Sequence, residues 1–218
     1  MSAALKPLEP PPFDAEALRA ALGATEAQMA ELERFRVLLG EWNAVMNLVG
    51  PSAMANFWER HAYDSAQLLA LAPEAKTWAD LGAGAGFPGI VLAILLKDVE
   101  GAHVHLIDSQ AKRCKFLSAV VEALALPATV HHARAEDLAL KVDVAAARAC
   151  APMVKLLGYA LPYLKRGATG LFLKGQDVVA EMSEAAKCWN YQVQLLPSRS
   201  DPGGRVVQIS RLVRARNV

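Results

Sequence analysis

Two hydrophobic rhythms divide the chain. From Thr25 onward Met29, Leu32, Phe35, Leu39, Trp42 and Met46 recur every three or four positions, which gives a helix one core-facing stripe. Thr25 and Gln28 stand at capping-box spacing, and Gly50-Pro51 breaks the pattern. Before it, Asp14 to Leu22 reads as a shorter helix with Asp14 as cap and Gly23 as terminator. Ser52 is placed to cap a third helix running to about Leu71. Four prolines between Lys6 and Pro12 predict a loose, extended arm at the start.

From Thr77 short apolar runs alternate with helical stretches. Strands are expected at Trp78–Leu81, Val104–Ile107, Ala128–His131, Val142–Ala147 and Thr169–Leu173. Helices are expected at Pro88 to about Lys97, Ala111–Leu126, Val154–Leu164 and Val178–Trp189. Such alternation predicts an α/β fold, a Rossmann-like parallel sheet with helices on both faces. Gln192–Leu196 and Arg205–Arg211, joined through Asp-Pro-Gly-Gly, read instead as a terminal antiparallel hairpin. The chain thus divides into an arm with a helical extension, residues 1–72, and an α/β domain, residues 73–218.

Composition narrows the classes. Of 218 residues 54% are hydrophobic, but 41 are alanine, and charged residues reach 21%; this suits a foldable, water-soluble chain. Ile90 to Leu96 is too short to span a bilayer, and the first residues lack the basic and apolar segments of a secretory signal. Cys114, Cys150 and Cys188 share no metal-ligand spacing, so neither a disulfide scaffold nor a metal site is expected, and a cytoplasmic location is. A net charge of +1 argues against a strongly basic nucleic-acid clamp, though not against nucleic acid as a substrate.

The most informative segment is Asp80-Leu-Gly-Ala-Gly-Ala-Gly-Phe-Pro-Gly89. Gly82, Gly84 and Gly86 follow a strand and precede a helix, so backbone can approach a ligand closely, with helix N–H groups and Pro88 in the first turn. The segment also matches the dinucleotide pattern, which keeps a nicotinamide-dependent dehydrogenase open. Asp80, beside the loop, would repel a pyrophosphate and attract a sulfonium. Asp108 closes the second strand where a carboxylate can accept from both hydroxyls of a ribose. Together these favour S-adenosyl-L-methionine over NAD.

These residues carry a resemblance. Asp-x-Gly-x-Gly-x-Gly-Phe-Pro-Gly followed by Asp108-Ser-x-x-Lys112-Arg113-x-x-Phe116-Leu117 resembles the bacterial small-subunit rRNA guanine-N7 methyltransferases, also known as the glucose-inhibited division protein B family. Arg60-His61-x-x-Asp64-Ser65, Arg134-Ala-Glu-Asp137, Arg148-Ala149 and Leu173-Lys174-Gly175 extend the likeness from about Trp42 to Gln208. It implies a class I methyltransferase acting on N7 of guanine 527 of 16S rRNA, within the small ribosomal subunit. It also implies cofactor contacts from Gly82, Phe87, Ala135, Glu136 and Arg148. The chain departs from the pattern at Ala83, where threonine is frequent, at Ala147, where serine is, and at Val206, where histidine is common.

The residues speak for some of these roles without the resemblance. Ala135 and Glu136 follow the third strand, where an adenine would lie if its ribose sat on Asp108. Arg148 ends an otherwise apolar strand, so a site role is expected. Lys112, Arg113 and Lys115 crowd the start of a helix, against its dipole, and with Arg199, Arg205, Arg211, Arg214 and Arg216 form two basic groups able to contact RNA phosphates. His61 and Asp64, three apart, read as a structural pair. Cys150 has no activating partner in the local sequence and reads as a structural thiol. Guanine N7 carries a lone pair and no proton, so no acid–base catalyst is expected. A ribosome-assembly factor that keeps the fold and lacks the chemistry is a further alternative.

Overall fold

The computed structural model describes residues 13–215; the expected proline-rich arm and Arg216 lie outside them. Helix α1 (Ala15–Leu22) is capped by Asp14, whose side chain accepts from the Ala17 N–H at 2.9 Å, and ends at left-handed Gly23. Helix α2 (Glu26–Met46) opens with the Thr25–Gln28 capping box and buries Leu32, Phe35 and Leu39. Its end comes earlier than Gly50, at Asn47, which takes the left-handed conformation that asparagine tolerates. The single helix expected from Ser52 to Leu71 is three pieces: α3 (Pro51–Ala55), a π-helical segment (Phe57–Tyr63) and α4 (Asp64–Leu71). Ser52 falls within α3, which starts one residue earlier, at Pro51. Apolar periodicity does not separate a π turn from an α turn, so the sequence reads straight through the break.

The seven strands are β1 (Thr77–Leu81), β2 (His103–Asp108), β3 (Ala128–His132), β4 (Val144–Arg148), β5 (Thr169–Lys174), β6 (Trp189–Pro197) and β7 (Arg205–Arg214). They form one sheet in the order β3-β2-β1-β4-β5-β7-β6. The first five are parallel, and the hairpin is antiparallel as expected. Strand β7 lies between β5 and β6, antiparallel to both. The sequence order of the hairpin gives no hint of this, because either of its strands could have docked on β5. Val207 and Ile209, fully buried, make β7 the inner one, whereas β6 is largely exposed along its outer half.

The connections are α5 (Gly89–Leu95), α6 (Ala111–Ala123), a 3-10 turn (Ala135–Asp137), α7 (Met153–Leu164) and α8 (Val178–Ala186). Helix α5 is shorter than expected and starts at Gly89, with Pro88 outside as its cap residue. Helix α6 stops before Leu126, and Trp189 belongs to β6, where its indole N–H donates to the Val154 carbonyl at 2.9 Å. Two apolar clusters cover the two sheet faces. The N-terminal helices join the first: Leu32, Phe35 and Phe57 pack with Phe87, Ile90 and Leu106. Among the described residues no helix is long and apolar enough to cross a membrane.

Phe35 links α2 to the glycine turn, its ring 5.8 Å from Phe57 and 5.4 Å from Phe87 between centroids. Truncating a fully buried ring costs about 3–5 kcal/mol. Phe35→Ala should therefore lose that much stability in urea unfolding; a loss under 1 kcal/mol would show that the extension does not help hold the turn.

Candidate functional site

The C-terminal ends of β1, β2, β3 and β4 surround a cavity of about 400 Å³. Its floor is the glycine turn. Gly84 has φ +55, and a Cβ built there would meet only the Gly82 carbonyl, 3.6 Å away, with open space beyond. At Gly82 a Cβ would collide with the Cys150 sulfur. Gly86 is different: its Cβ would strike Ile90 at 2.6 Å and Phe35 at 3.2 Å, and it does not line the cavity. Two glycines of the motif therefore face the cavity, and the third admits helix packing.

Asp108, only 3% exposed, lines the cavity from the end of β2. One carboxylate oxygen accepts from the Gly84 N–H at 3.0 Å and the other from the Gln110 N–H at 2.8 Å. Arg113 lies 3.6 Å from the first of these oxygens. A carboxylate has about four lone-pair sites, so two remain to accept from a diol while the loop is held. Ala135 and Glu136 line the opposite wall, and the buried Tyr163 hydroxyl donates to the Ala135 carbonyl at 2.9 Å, fixing the 3-10 turn.

Asp80 is not where the sequence reading puts it. It is 1% exposed and absent from the cavity wall. One of its oxygens accepts from the Gly89 N–H at 2.8 Å, so it caps α5 and takes up an N–H that was expected to face the ligand. Its other oxygen has no partner among the described residues. Burial, opposed by the Gly89 hydrogen bond and reinforced by Asp108, lifts the Asp80 carboxyl to about 7 despite nearby Arg148.

Arg148 ends β4 as expected, and the partners are long-range. Its guanidinium donates to the Arg60 carbonyl at 2.6 Å and to His61 Nδ1, and pairs with Asp64 at 3.5 Å. Since a guanidinium only donates, His61 Nδ1 must accept, which leaves the proton on Nε2. Burial, then the charges of Arg148 and Arg60, hold His61 near 3, so it is neutral at pH 7. His61 also stacks on Phe87, 4.8 Å between centroids, and Arg148 lies 5.1 Å from the same ring. His61 and Asp64 therefore form no isolated pair; both serve Arg148. Asp64 further accepts from Ser200 at 2.6 Å, joining the extension to the β6–β7 loop.

Arg148 and Ala149 also line a second cavity of about 400 Å³, with Arg60, Lys174 and Arg205 at its polar wall. Arg60 pairs with Asp201 at 3.0 Å and Lys174 with Glu181 at 2.6 Å, whereas Arg205 binds the carbonyls of Pro202 and Gly204. Lys112 and Lys115 are exposed on α6 outside both cavities, and Arg113 faces the first. Val206, named above as a departure from the family pattern, is fully buried and so occupies a core position. Cys150 lines the first cavity, and burial, with Asp80 and Asp108 next, raises its thiol to about 11, which disfavours a nucleophilic thiolate. Leu48, Val49, Gln110 and Tyr159, which also line the first cavity, carry no motif in the sequence. Gln110 could have been found from its place two residues after Asp108.

Residues 28–200 match the family model described as rRNA small subunit methyltransferase G. The chain is 63% identical over 204 residues to the ribosomal RNA small subunit methyltransferase G of Caulobacter vibrioides, covering 94% of each chain. Its fold resembles that of cofactor-bound Rv0187 from MTB, with a TM-score of 0.59 and 15% identity over 94% of this chain and 99% of that one. It also resembles a mutant of MtNAS in complex with S-adenosylmethionine, at a TM-score of 0.55 and 17% identity over 90% and 84%.

Two substitutions separate the glycine roles. Gly84→Val should remove binding of S-adenosylmethionine in calorimetry while costing only about 1–2 kcal/mol of backbone strain. Gly86→Val should lower thermal stability first, through Ile90 and Phe35. The reverse pattern would place the ligand elsewhere. Asp80 gives a pH signature. Its folded pKa lies above the ordinary carboxylate value, so the folded state binds the proton more tightly, and stability falls as pH rises through about 7. Asp80→Asn should therefore gain stability relative to the native chain between pH 5 and 8; parallel stability curves would contradict the buried, under-bonded carboxylate. The matched residues, the near-complete coverage and the class I methyltransferase sheet together make the chain a member of the rRNA small subunit methyltransferase G family.

Proposed function

We propose that the protein transfers a methyl group from S-adenosylmethionine to N7 of guanine 527 of 16S rRNA, in the small ribosomal subunit and in the cytoplasm. The observation that carries this reading is the pair of cavities that meet at Arg148 and Ala149, one suited to a nucleoside and one lined by Arg60, Arg148, Lys174 and Arg205 together with Asp64, Glu181 and Asp201. The first suits the cofactor by its donor set. Gly84 leaves room for close backbone approach, Asp108 keeps two lone-pair sites for the ribose, and Ala135 with Glu136 flanks the adenine side. Asp80 shapes the turn from behind it. We also propose the division of the chain at residue 72, with the extension supplying Arg60, His61 and Asp64 to the site.

When bound, S-adenosylmethionine supplies an electrophilic sulfonium methyl. Guanine N7 has its lone pair free and no proton to lose, so the protein has to align it and exclude water, with no general base. The loop after β4, Arg148-Ala-Cys-Ala-Pro152, lacks the Asn/Asp-Pro-Pro-aromatic motif that holds exocyclic amines, in keeping with a ring nitrogen as acceptor. His61 is neutral and engaged by Arg148, and Cys150 is protonated.

Lys112, Lys115 and Arg205 are proposed to contact RNA phosphates. Arg113, proposed with them from the sequence, faces the cofactor cavity and should affect both ligands. With net charge +1 and few local cations, binding to bare RNA should be weak and should fall further as salt rises, so recognition depends on the shape of the assembled target. Small subunits from cells lacking the protein should accept labelled methyl groups far faster than an oligonucleotide of the same sequence at physiological salt. Lys112→Ala should slow transfer to particles without changing cofactor affinity. Equal rates on the two substrates would indicate direct base readout, and RNA binding with no transfer would favour the assembly-factor alternative.

A further inference from the structure

The two cavities meet at Arg148 and Ala149, which line both, and the loop after β4, residues 149–152, takes a shape that the local sequence does not explain. Ala149 lines both cavities with its backbone at φ +47, a conformation that a residue with a Cβ keeps only when its surroundings over-determine it. Cys150 follows, its sulfur packed where a side chain on Gly82 would fall. Pro152 has no N–H with which to anchor the loop.

The anchors come from two other elements. Lys174, the last residue of β5, has a side chain only 9% exposed. Its ammonium donates to the Ala151 carbonyl at 3.1 Å and lies 2.6 Å from Glu181 Oε2 on α8. The same Oε2 accepts from the N–H of Met153, the first residue of α7, at 2.8 Å. One ion pair therefore grips the chain on both sides of Pro152. As a source of stability alone such a pair is weak, because desolvation offsets much of its attraction. What it supplies is geometry: two directional contacts, at Ala151 and Met153, on the loop that starts where the cavities meet.

We propose that Lys174 and Glu181 are positioning residues for methyl transfer, fixing the 149–152 loop so that donor and acceptor meet in line. This rests on the reaction proposed above. Neither residue needs to touch the reacting atoms; both act through Ala149 and Cys150. A displacement of about 1 Å at such a loop can slow a transfer on the order of 100-fold while leaving ligand binding nearly intact.

The test uses the full chain with Cys188→Ser to remove an exposed thiol. Lys174→Met and Glu181→Ala should lower kcat on small subunits by roughly 10- to 100-fold, with KM for S-adenosylmethionine changed by less than about threefold. Lys174→Arg keeps a donor for the Ala151 carbonyl, and Glu181→Gln keeps an acceptor for the Met153 N–H, so each should fall between. Iodoacetamide labelling of Cys150, read by peptide mass, supplies the second measure. Release of the loop should speed it several-fold, in the same order as the loss of kcat. If Lys174→Met or Glu181→Ala does not fold, the two conservative variants carry the same graded expectation. Unchanged kcat and labelling in folded variants would overturn the proposal, as would losses that merely track the folded fraction in thermal melts. A native chain inactive on particles would defeat the proposed reaction instead, and the labelling would still judge the clamp.

Discussion

Two buried carboxylates at adjacent strand ends hold the glycine turn in the shape on which the site depends. Asp108 pulls the Gly84 N–H toward the cavity at 3.0 Å, and Asp80 pulls the Gly89 N–H away from it at 2.8 Å. Phe87 lies in the segment between them, and its ring meets Phe35, Phe57 and His61. Helix start, core contact and ligand wall are thus consequences of one pair of hydrogen bonds. Each carboxylate loses solvation, and one oxygen of Asp80 has no partner among the described residues, so this cost is only partly offset there.

Arg148 performs the corresponding task at the end of β4, on the same edge of the sheet. A largely buried guanidinium is tolerable only when its charge is compensated, and here the Arg60 carbonyl, His61 and Asp64 take three of its five donors. Those partners lie on the π-helical segment and the first residue of α4, so the N-terminal extension is bound to the end of β4 by polar contacts as well as by its apolar face. Asp64 continues through Ser200 to the β6–β7 loop. The two cavities consequently share a rigid corner at which three separate stretches of chain converge.

Much of this was legible in the sequence, for local reasons. Capping by Asp14 and Thr25 depends on residues three apart, and the parallel strands announce themselves as short apolar runs separated by helical ones. The placement of Gly84 and Asp108 at the first cavity is readable because a glycine turn after a strand and a carboxylate at the next strand end both come to the C-terminal edge of a parallel sheet. The rest turns on contacts between distant residues. Arg148 meets Asp64 and His61 across more than 80 positions, and Lys174 meets the loop after β4 across 23. Asp80 was misplaced for the same reason: its neighbour in sequence is the glycine loop, but its neighbour in space is the first N–H of α5. The π turn and the docking of β7 inside β6 likewise leave no periodic trace.

The central claim, that a cofactor held on Asp108 donates a methyl group to one ring nitrogen of 16S rRNA, has a direct measurement. Mass mapping of methylated guanosines should compare rRNA from cells lacking the protein with rRNA from cells given back either the native chain or Asp108→Ala. The account predicts that a single N7 methyl, at guanine 527, disappears with the protein and returns with the native chain. Asp108→Ala, having lost charge-assisted hydrogen bonds on the order of 2–4 kcal/mol, should fail to restore it at normal expression. An unchanged methylation pattern without the protein, or full restoration by Asp108→Ala, would contradict it.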